Sequence, residues 1–312
     1  MAGRTIRIGT RASDLARWQA DFVQRQLEAR FPDARFEQLL ISTTGDRVRE
    51  APLPTFGGTG VFTKEIENAL LSDEIDLAVH SLKDLPTSFA DELMIGAILE
   101  REDPRDALLS RSGQPLAELS EGATVATSSL RRQAQLLHAR PDLEIAPVRG
   151  NVPTRVRKLD DGQFDAIVLA RAGLVRLGMA DRITETLSTA TMLPAPGQGA
   201  MAVEVRSEDG SIREMVRALH HDGTARCASA ERAMLRALHG GCHVPVGALA
   251  TMDDTLLTLE AVVASPDGKR YIRRRSAGAT GQPELLGVRL AEDLLRNGAR
   301  EIMDHTAEPE AQ

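Results

Sequence analysis

The pattern of hydrophobic and polar positions predicts two kinds of architecture along the chain. Up to about residue 218, short apolar runs typical of strands alternate with segments whose apolar residues recur every three or four positions, as in amphipathic helices. Strands are predicted at 4–10, 36–43, 76–81, 93–99, 123–127, 143–148, 165–170 and 200–206, and helices at 13–30, 63–71, 152–159 and from Ser128 or Ser129 onward. Such alternation is typical of α/β lobes.

The pattern changes after residue 218. A helix is predicted at 224–239, followed by three strand-like runs at 246–251, 256–264 and 270–277 and a final helix at 283–296. This predicts a smaller C-terminal α+β domain with a three-stranded antiparallel sheet.

The connections predict where the domains divide. A charged, proline-containing stretch at 100–106 and a Pro/Gly segment at 193–199 separate the two α/β patterns. We therefore expect an α/β lobe of residues 1–99 with 200–217, a second α/β lobe of residues 100–199, and a C-terminal domain of residues 218–312. Two crossings between lobes predict a cleft with a two-strand hinge.

Composition and charge exclude several classes of function. The formal net charge of −7 over 312 residues and an aromatic content of 3% argue against a nucleic-acid partner or a membrane surface. No apolar stretch is long enough to span a membrane, and the N-terminus lacks a signal-peptide core, so we expect a cytoplasmic protein. Cys227 and Cys242 fit neither a disulfide framework nor a zinc site, and no metal is expected.

The distribution of arginine indicates the ligand. Six arginines lie near the carboxyl ends of predicted strands, where open α/β sheets bind ligands: Arg11, Arg131, Arg132, Arg149, Arg155 and Arg176. A guanidinium binds carboxylates and phosphates through paired hydrogen bonds. Six cations meeting in one cleft predict a ligand with several negative charges.

The strongest single segment is Thr127–Arg132. Ser128 or Ser129 is predicted to cap the following helix, whose N-terminus favours an anion. Arginines in a first helical turn oppose the helix dipole, which indicates a functional reason for them. The alternative is an ordinary cap followed by solvated arginines. Gly150, at a later strand-to-helix junction, is predicted to let the backbone approach a ligand.

A second segment follows the strand at 76–81. Asp84 is the one carboxylate among these cations, so we expect it to stay ionised and to stabilise a cation that develops in a reaction. The alternative for Asp84 is a turn residue ahead of Pro86. Lys83 is able to bind an anion or form a Schiff base, and His80 is predicted to be a buried strand-end residue.

Two glycine-containing segments complete the candidates. Gly240 and Gly241 would lift the thiol of Cys242 onto a loop, where a cationic cleft would make it a nucleophile. A small buried residue is the alternative for Cys242, and Cys227 is predicted to be inert core. The run Gly57–Gly60 matches no nucleotide-binding motif and is interpreted as a flexible lid.

Taken together, these segments resemble the porphobilinogen deaminase (hydroxymethylbilane synthase) family. Ten stretches between Thr10 and Gly247 match in the family's order: TRASDLARWQA, STTGD, GGTGVFTKE, AVHSLKDLPT, EREDPRDAL, TSSLRRQAQL, VRGNVPTR, DAIVLARAGL, LPAPGQGA and ERAMLRALHGGCHVPVG. The last 65 residues match by pattern only. Thr59 departs from the basic residue that relatives often carry between the glycines of the lid, which puts in doubt a lid contact to a carboxylate.

The resemblance implies a transferase that links four porphobilinogens head to tail, with release of four ammonias, into linear hydroxymethylbilane for tetrapyrrole and haem biosynthesis. It implies a dipyrromethane cofactor held by a thioether to Cys242, a monomer, and two lobes similar to those of periplasmic binding proteins around the cleft. Asp84 would be the catalytic residue. The implied cofactor-binding residues are Ser81, Lys83, Asp84, Thr127, Ser128, Ser129, Arg131, Arg132 and Gly173. The implied substrate-binding residues are Arg11, Ser13, Gln19, Arg149, Gly150, Arg155, Ala170, Arg176 and Gln198.

Two other functions compete with this interpretation. A non-catalytic, two-lobed anion-binding protein would explain the arginines but neither Asp84 nor Cys242. A pyridoxal-phosphate enzyme would use Lys83 as its Schiff base and the cap at 127–129 for the phosphate.

Overall fold

A computed structural model describes residues 5–43, 63–238 and 245–307. The chain divides into two compact units, residues 1–102 with 200–225 and residues 103–199 with 226–312. The boundaries that we expect for three domains stay a prediction. Among the described residues, no helix combines the length and the apolar character needed to cross a membrane.

The strands and helices are numbered along the chain. The strands are β1 (Thr5–Thr10), β2 (Arg35–Leu40), β3 (Leu77–Ser81), β4 (Leu93–Ile98), β5 (Asp106–Ser110), β6 (Thr124–Ala126), β7 (Glu144–Ala146), β8 (Ala166–Ala170), β9 (Glu185–Thr186), β10 (Met201–Arg206), β11 (Val246–Met252), β12 (Leu256–Ala264) and β13 (Tyr271–Ala279). The helices are α1 (Asp14–Arg30), α2 (Lys64–Leu71), α3 (Leu130–Ala139), α4 (Val152–Asp160), α5 (Arg171–Arg176), α6 (Gly210–Arg217), α7 (Asp222–Ala237), α8 (Pro283–Arg296) and α9 (Ala299–Ala307).

The first unit is built on a mixed five-stranded sheet in the order β2-β1-β3-β10-β4. β1 runs parallel to β2 and β3, whereas β10 lies antiparallel between β3 and β4. The strand expected at 200–206 therefore does return to the first sheet. Alternate residues of β3 point to opposite faces: Val79 packs in a core with α1 and α6, and Ala78 packs in a core with α2.

The second unit contains two sheets. The first has the order β7-β6-β8-β5-β9, with β6 parallel to β7 and β8, and β5 antiparallel to β8 and β9. The second is the antiparallel sheet β11-β12-β13, whose core is shared with α7, α8 and α9. The expected α/β class with a three-stranded antiparallel C-terminal sheet is confirmed.

The β12–β13 hairpin packs directly on α3 within this unit. The imidazole of His138 stacks on the ring of Tyr271 with centroids 3.8 Å apart, and its Nδ1 lies 3.0 Å from the carbonyl oxygen of Gly268. Gly268 has φ +72°, and a Cβ there would lie 2.5 Å from the backbone nitrogen of His138. The hairpin tip therefore requires glycine to approach the helix.

Several elements differ from the sequence-based expectation, and the larger differences are these. The stretch expected to be a hinge at 100–106 ends inside β5, because Asp106 is the first residue of that strand. Helix α6 follows β10, where no helix was predicted. Helix α9 follows the helix expected to be the last. Both missed helices are short, at eight and nine residues, which makes their periodicity hard to recognise.

Candidate active site

A pocket of the first unit gathers the candidate residues that follow β1 and β3. Because parallel strands end at the same edge of a sheet, Arg11 and Ser13 after β1 lie near Ser81 and Asp84 after β3. The pocket is lined by Arg11, Ser13, Leu15, Ala16, Gln19, Thr63, Val79, His80, Ser81 and Asp84. The structure thus brings together five of the predicted site residues.

Helix α1 fixes two of these polar groups. Ser13 is the N-cap of α1, and its Oγ accepts a hydrogen bond of 3.4 Å from the backbone N–H of Ala16. Gln19 is buried, and its Nε2 donates to Oγ of Ser81 at 2.9 Å. The side chain of Gln19 therefore also ties α1 to the end of β3.

Asp84 closes a single 3₁₀ turn, Leu82–Asp84, directly after β3. The side chain of Asp84 is exposed, while Leu82 in the same turn is fully buried and anchors it. The backbone N–H of Leu82 also donates to the carbonyl of Ala200 at 3.0 Å. The turn is thus held by its apolar residue, and the carboxylate of Asp84 stays accessible. Lys83 lies beside it and is half-buried.

Behind this pocket lies a buried pair of titratable residues. His80 is buried, as expected, and its Nε2 lies 3.1 Å from Oε2 of Glu204, which has no exposed surface. The distance suits an ion pair, but the alignment is not that of a hydrogen bond, and among the described residues neither Nε2 of His80 nor either carboxylate oxygen of Glu204 has a hydrogen-bond partner. Glu204 was not predicted as a site residue, although it lies between Val203 and Val205 in a mostly apolar strand, and that contrast is the signal that marks it.

The second unit holds the two arginines of α3. Ser129 is the N-cap, accepting a 3.5 Å hydrogen bond from the backbone N–H of Arg132. Both Arg131 and Arg132 are buried, with 6% and 7% of their surfaces exposed. Their shared partner is Asp106, at 2.7 Å from Nη1 of Arg131 and 2.8 Å from Nη2 of Arg132. The alternative of solvated arginines is therefore wrong.

Asp106 is the centre of this cluster. Gln198 donates from Nε2 to its Oδ1 at 2.9 Å, and Arg132 also donates to Oδ1 from Nε at 3.1 Å. Burial acts to raise the pKa of Asp106, but the two guanidiniums outweigh it and hold that pKa well below its ordinary range. The carboxylate is therefore ionised, and the cluster of two cations and one anion keeps one positive charge.

Backbone carbonyls occupy other donors of the pair. Nη1 of Arg131 also donates to the carbonyl of Leu193 at 2.7 Å, and Nη1 of Arg132 donates to that of Val168 at 3.1 Å. The expectation of six cations all available to a ligand is thus corrected, since two of them share an internal acid. Sequence analysis missed Asp106 because it was placed in a hinge; arginines in a first helical turn were the signal that an acid should be sought.

The hydroxyl groups of the residues before α3 make different contacts. Ser128 is not the cap: its Oγ donates to the carbonyl of Val148 at 2.8 Å and accepts from the backbone N–H of Val148 at 3.0 Å. Oγ1 of Thr127, which is buried, accepts from the N–H of Ser129 at 3.1 Å. These contacts join the ends of β6 and β7 and set the start of α3.

The remaining candidates of the second unit lie at its other strand ends. Arg149 is half-buried, and Nε of Arg155 donates to the carbonyl of Gly150 at 2.7 Å. Gly150 has φ +113°, and a Cβ there would lie 2.7 Å from Cγ2 of Thr154, so this backbone conformation requires glycine without a ligand. Ala170 ends β8, Gly173 is buried in α5, and Arg176 donates from Nη2 to the carbonyl of Gly199 at 2.7 Å.

Some candidates lie outside the described residues. These are Cys242 with Gly240 and Gly241, and the glycine run Gly57–Gly60 with Thr59. Cys227 is buried in the core of the C-terminal sheet and α7, α8 and α9, as predicted.

Comparison with known proteins decides the family. The family model "Porphobilinogen deaminase, dipyromethane cofactor binding domain" matches residues 6–214, and the C-terminal domain model of the same family matches residues 225–296. The chain belongs to the porphobilinogen deaminase family. The resemblance found in the sequence motifs is confirmed, and so is the dipyrromethane cofactor that the family's first domain binds.

Individual relatives agree along nearly the whole length. The porphobilinogen deaminase of Desulforudis audaxviator is 53% identical over 300 residues, covering 96% of this chain and 97% of its own. Those of Chlorobaculum parvum and Geobacter metallireducens are 50% and 49% identical, covering 96% and 97% of this chain and 97% and 95% of their own.

Solved structures give more distant matches. The periplasmic VFT2 domain of Bordetella pertussis BvgS is 15% identical with a TM-score of 0.42, covering 69% of this chain and 86% of its own. The methionine-binding protein MetQ is also 15% identical with a TM-score of 0.42, covering 73% of this chain and 94% of its own.

Proposed function

We propose that this chain carries out the family's reaction, the head-to-tail polymerisation of four porphobilinogens into linear hydroxymethylbilane with release of four ammonias, and that the residues described above perform it. The chain is a transferase by its family. The observation that carries the assignment of roles is the pocket of the first unit, where an accessible carboxylate, Asp84, lies with Arg11 and Ser13. Neither competing function, the anion-binding protein or the pyridoxal-phosphate enzyme, is favoured.

The chemistry of the substrate explains this composition. Each pyrrole carries an acetate and a propionate, so Arg11, Arg149, Arg155 and Arg176 are suited to hold substrate carboxylates. Loss of ammonia leaves positive charge on the substrate's pyrrole and methylene carbon. The carboxylate of Asp84 would stabilise that charge, because a fixed anion next to a developing cation lowers its free energy. Ser13, Gln19, Gly150, Ala170 and Gln198 would shape the substrate's surroundings.

The buried arginine cluster fits the family's cofactor. Arg131 and Arg132 with Asp106 keep one positive charge, which suits one carboxylate of a dipyrromethane. Lys83 and Ser129 would add donors, Cys242 would form the thioether, and the other proposed cofactor-binding residues are Ser81, Thr127, Ser128 and Gly173. When bound, the cofactor supplies the first pyrrole to which substrate is joined. We also propose that the protein is cytoplasmic and a monomer. Light scattering after size-exclusion chromatography tests the oligomeric state.

Intact-mass spectrometry tests the cofactor and its attachment together. We expect the purified protein to exceed its sequence mass by two porphobilinogens minus two ammonias, and the Cys242→Ser variant to lack this increment. If the protein is purified without the increment, incubation with porphobilinogen should add it. Failure to add it would contradict the proposal.

Variants of the two charged clusters separate the proposed roles. Asp84→Ala should keep the mass increment and lose nearly all release of ammonia, because the cation is no longer stabilised. Arg131→His or Arg132→His should instead impair assembly of the cofactor. Normal ammonia release by Asp84→Ala would argue for the non-catalytic alternative.

A further inference from the structure

The first unit contains an imidazole and a carboxylate that the proposed roles leave unused. His80 on β3 and Glu204 on β10 lie diagonally on one face of the sheet, because His80 pairs with Ala202 and Glu204 pairs with Ala78. Glu204 has no exposed surface, and His80 has 6% of its surface exposed. Burying a carboxylate without hydrogen bonds destabilises the folded protein, so the presence of such a group calls for a functional explanation.

The position of His80 connects this pair to the pocket. Its Nε2 lies 3.1 Å from Oε2 of Glu204, and the residue also lines the pocket that holds Asp84. No hydrogen bond from the described residues engages its Nδ1. An imidazole that belongs to a residue lining the pocket and has a carboxylate 3.1 Å from its Nε2 is an arrangement suited to proton transfer.

The reaction supplies a proton that needs an acceptor. In each condensation the C–N bond of porphobilinogen breaks, and its electron pair leaves with ammonia. A C–C bond then forms from the free α-carbon of the pyrrole already bound to the substrate's methylene carbon. The C–H bond at that α-carbon breaks, its electrons restore the aromatic ring, and one proton is released. This proton is released after the new C–C bond has consumed the methylene cation, so its acceptor acts in a later step than the stabilisation proposed for Asp84.

We infer that His80 accepts the α-carbon proton at Nδ1, with Glu204 as the positioning residue whose carboxylate lies 3.1 Å from its Nε2. This inference rests on the proposed function. Uptake of the proton converts the neutral imidazole into an imidazolium, which pairs with the buried carboxylate of Glu204. Water or the departing ammonia then removes the proton, and His80 returns to its neutral form.

The charged groups around His80 are consistent with this task. Arg11 and Asp84 share its pocket. Helix α2 packs on β3 and β10 and brings Glu65 and Glu67 in its first turn. No charged side chain stands elsewhere on β3, or on β4.

The first test is spectroscopic and uses the wild-type protein. With ¹⁵N-labelled histidine, the nitrogen chemical shifts report which ring nitrogen carries the proton, and the His80 signals are identified by their absence in His80→Gln and by their displacement in Glu204→Gln. We expect a neutral ring protonated at Nε2 in mildly alkaline buffer. A ring protonated at Nδ1 would overturn the inference, because that nitrogen would have no lone pair for the incoming proton.

The second test measures the proton transfer with α-deuterated porphobilinogen. General bases contribute about 10²–10⁴-fold to such steps. We expect His80→Gln to slow ammonia release by about this factor and Glu204→Gln by less, and both to show a larger kinetic isotope effect than the wild type. A structural role would slow turnover without raising the isotope effect. Unchanged rates and isotope effects in both variants would overturn the inference.

Controls separate this inference from the proposed function. His220→Gln should behave as wild type, because His220 faces Asp222 at 3.6 Å in the same unit but is exposed. Intact mass shows whether each variant carries its cofactor, and Glu204→Gln serves if His80→Gln does not fold. A wild-type protein without cofactor or ammonia release would contradict the proposed function itself. An active wild type with unaffected variants would contradict the role of His80 alone.

Discussion

Two of the completely buried carboxylates, Asp106 in the second unit and Glu204 in the first, differ in their surroundings. Asp106 in the second unit receives hydrogen bonds from Arg131, Arg132 and Gln198. Glu204 in the first unit lies 3.1 Å from Nε2 of His80, without the alignment of a hydrogen bond. Both have 0% of their surface exposed.

The difference indicates different tasks. A buried anion that is surrounded by charged donors is a fixed part of the framework, since removing it strands its partners. A buried anion without hydrogen bonds retains its capacity to respond when a neighbour gains charge. We therefore expect Asp106 to hold the cofactor arginines in place and Glu204 to support a change in protonation.

The largest effect is expected from Asp106→Asn. The variant leaves two buried guanidiniums that cannot give up their protons, and removing one partner of a buried pair costs about 3–5 kcal/mol. The free energy of unfolding from urea titrations followed by circular dichroism measures this loss. Asp142→Asn is the matched control, because Asp142 pairs with Arg140 at the surface of the same unit and should cost far less. Equal losses would show that burial of Asp106 adds nothing.

In acid, the free energy of unfolding of Asp106→Asn should approach that of the wild type. The pKa of Asp106 is lowered in the folded protein, so its contribution is fully present above the unfolded value of about 3.9 and is lost as the pH falls further toward the folded value. The difference in the free energy of unfolding between the wild type and Asp106→Asn should therefore be constant from pH 7 to about pH 4 and shrink below pH 4. Urea titrations at several pH values check this. A difference that shrinks between pH 7 and pH 5 would contradict the assignment.

Sequence patterns predicted these regions unequally. The periodicity predicted β12 and α8 with the bounds that the structure shows, because both are long and amphipathic. The N-cap Ser13 and the helix after it were also predicted correctly, because a serine before an amphipathic segment is a local signal for the start of a helix. The burial of Arg131 and Arg132 could not be predicted from local sequence, because their partner Asp106 lies 25 and 26 positions away. Pairing of the strands brings Asp106 next to the two arginines. Local sequence predicts that a charge is present, whereas topology decides whether it is paired.

The same limit applies to the first unit. Asp84 was predicted from the segment after β3, and the pocket around it follows from the parallel pairing of β1 and β3. Glu204 was not predicted, because its approach to His80 depends on β10 returning between β3 and β4. The return of the strand was expected, but the register that sets this diagonal contact is a property of the folded sheet.

An intermediate effect is expected from Gln198→Ala. This variant removes one neutral donor from Asp106 and leaves both arginines, and a hydrogen bond to a charged group contributes about 1.5–3 kcal/mol. Gln133→Ala is a control, because Gln133 donates at 3.2 Å to the uncharged carbonyl of Pro266. Urea titrations should rank the losses as Asp106→Asn, then Gln198→Ala, then Gln133→Ala. A loss for Gln198→Ala as large as that for Asp106→Asn would place the glutamine, rather than the charge, at the centre of the cluster.

The smallest effect on stability is expected from Glu204→Gln. The ion-pair partner of Glu204 among the described residues is His80, and an imidazole also exists as a neutral ring, whereas the arginines around Asp106 cannot give up their charge. Replacing an anion that has no hydrogen bonds by an amide of the same shape should change the free energy of unfolding by less than about 1 kcal/mol, in either direction. Urea titrations of Glu204→Gln and Asp106→Asn at pH 7 measure both changes under the same conditions. A loss for Glu204→Gln comparable to that for Asp106→Asn would mean that Glu204 holds the sheet together, and the contrast between a fixed and a responsive carboxylate would fail.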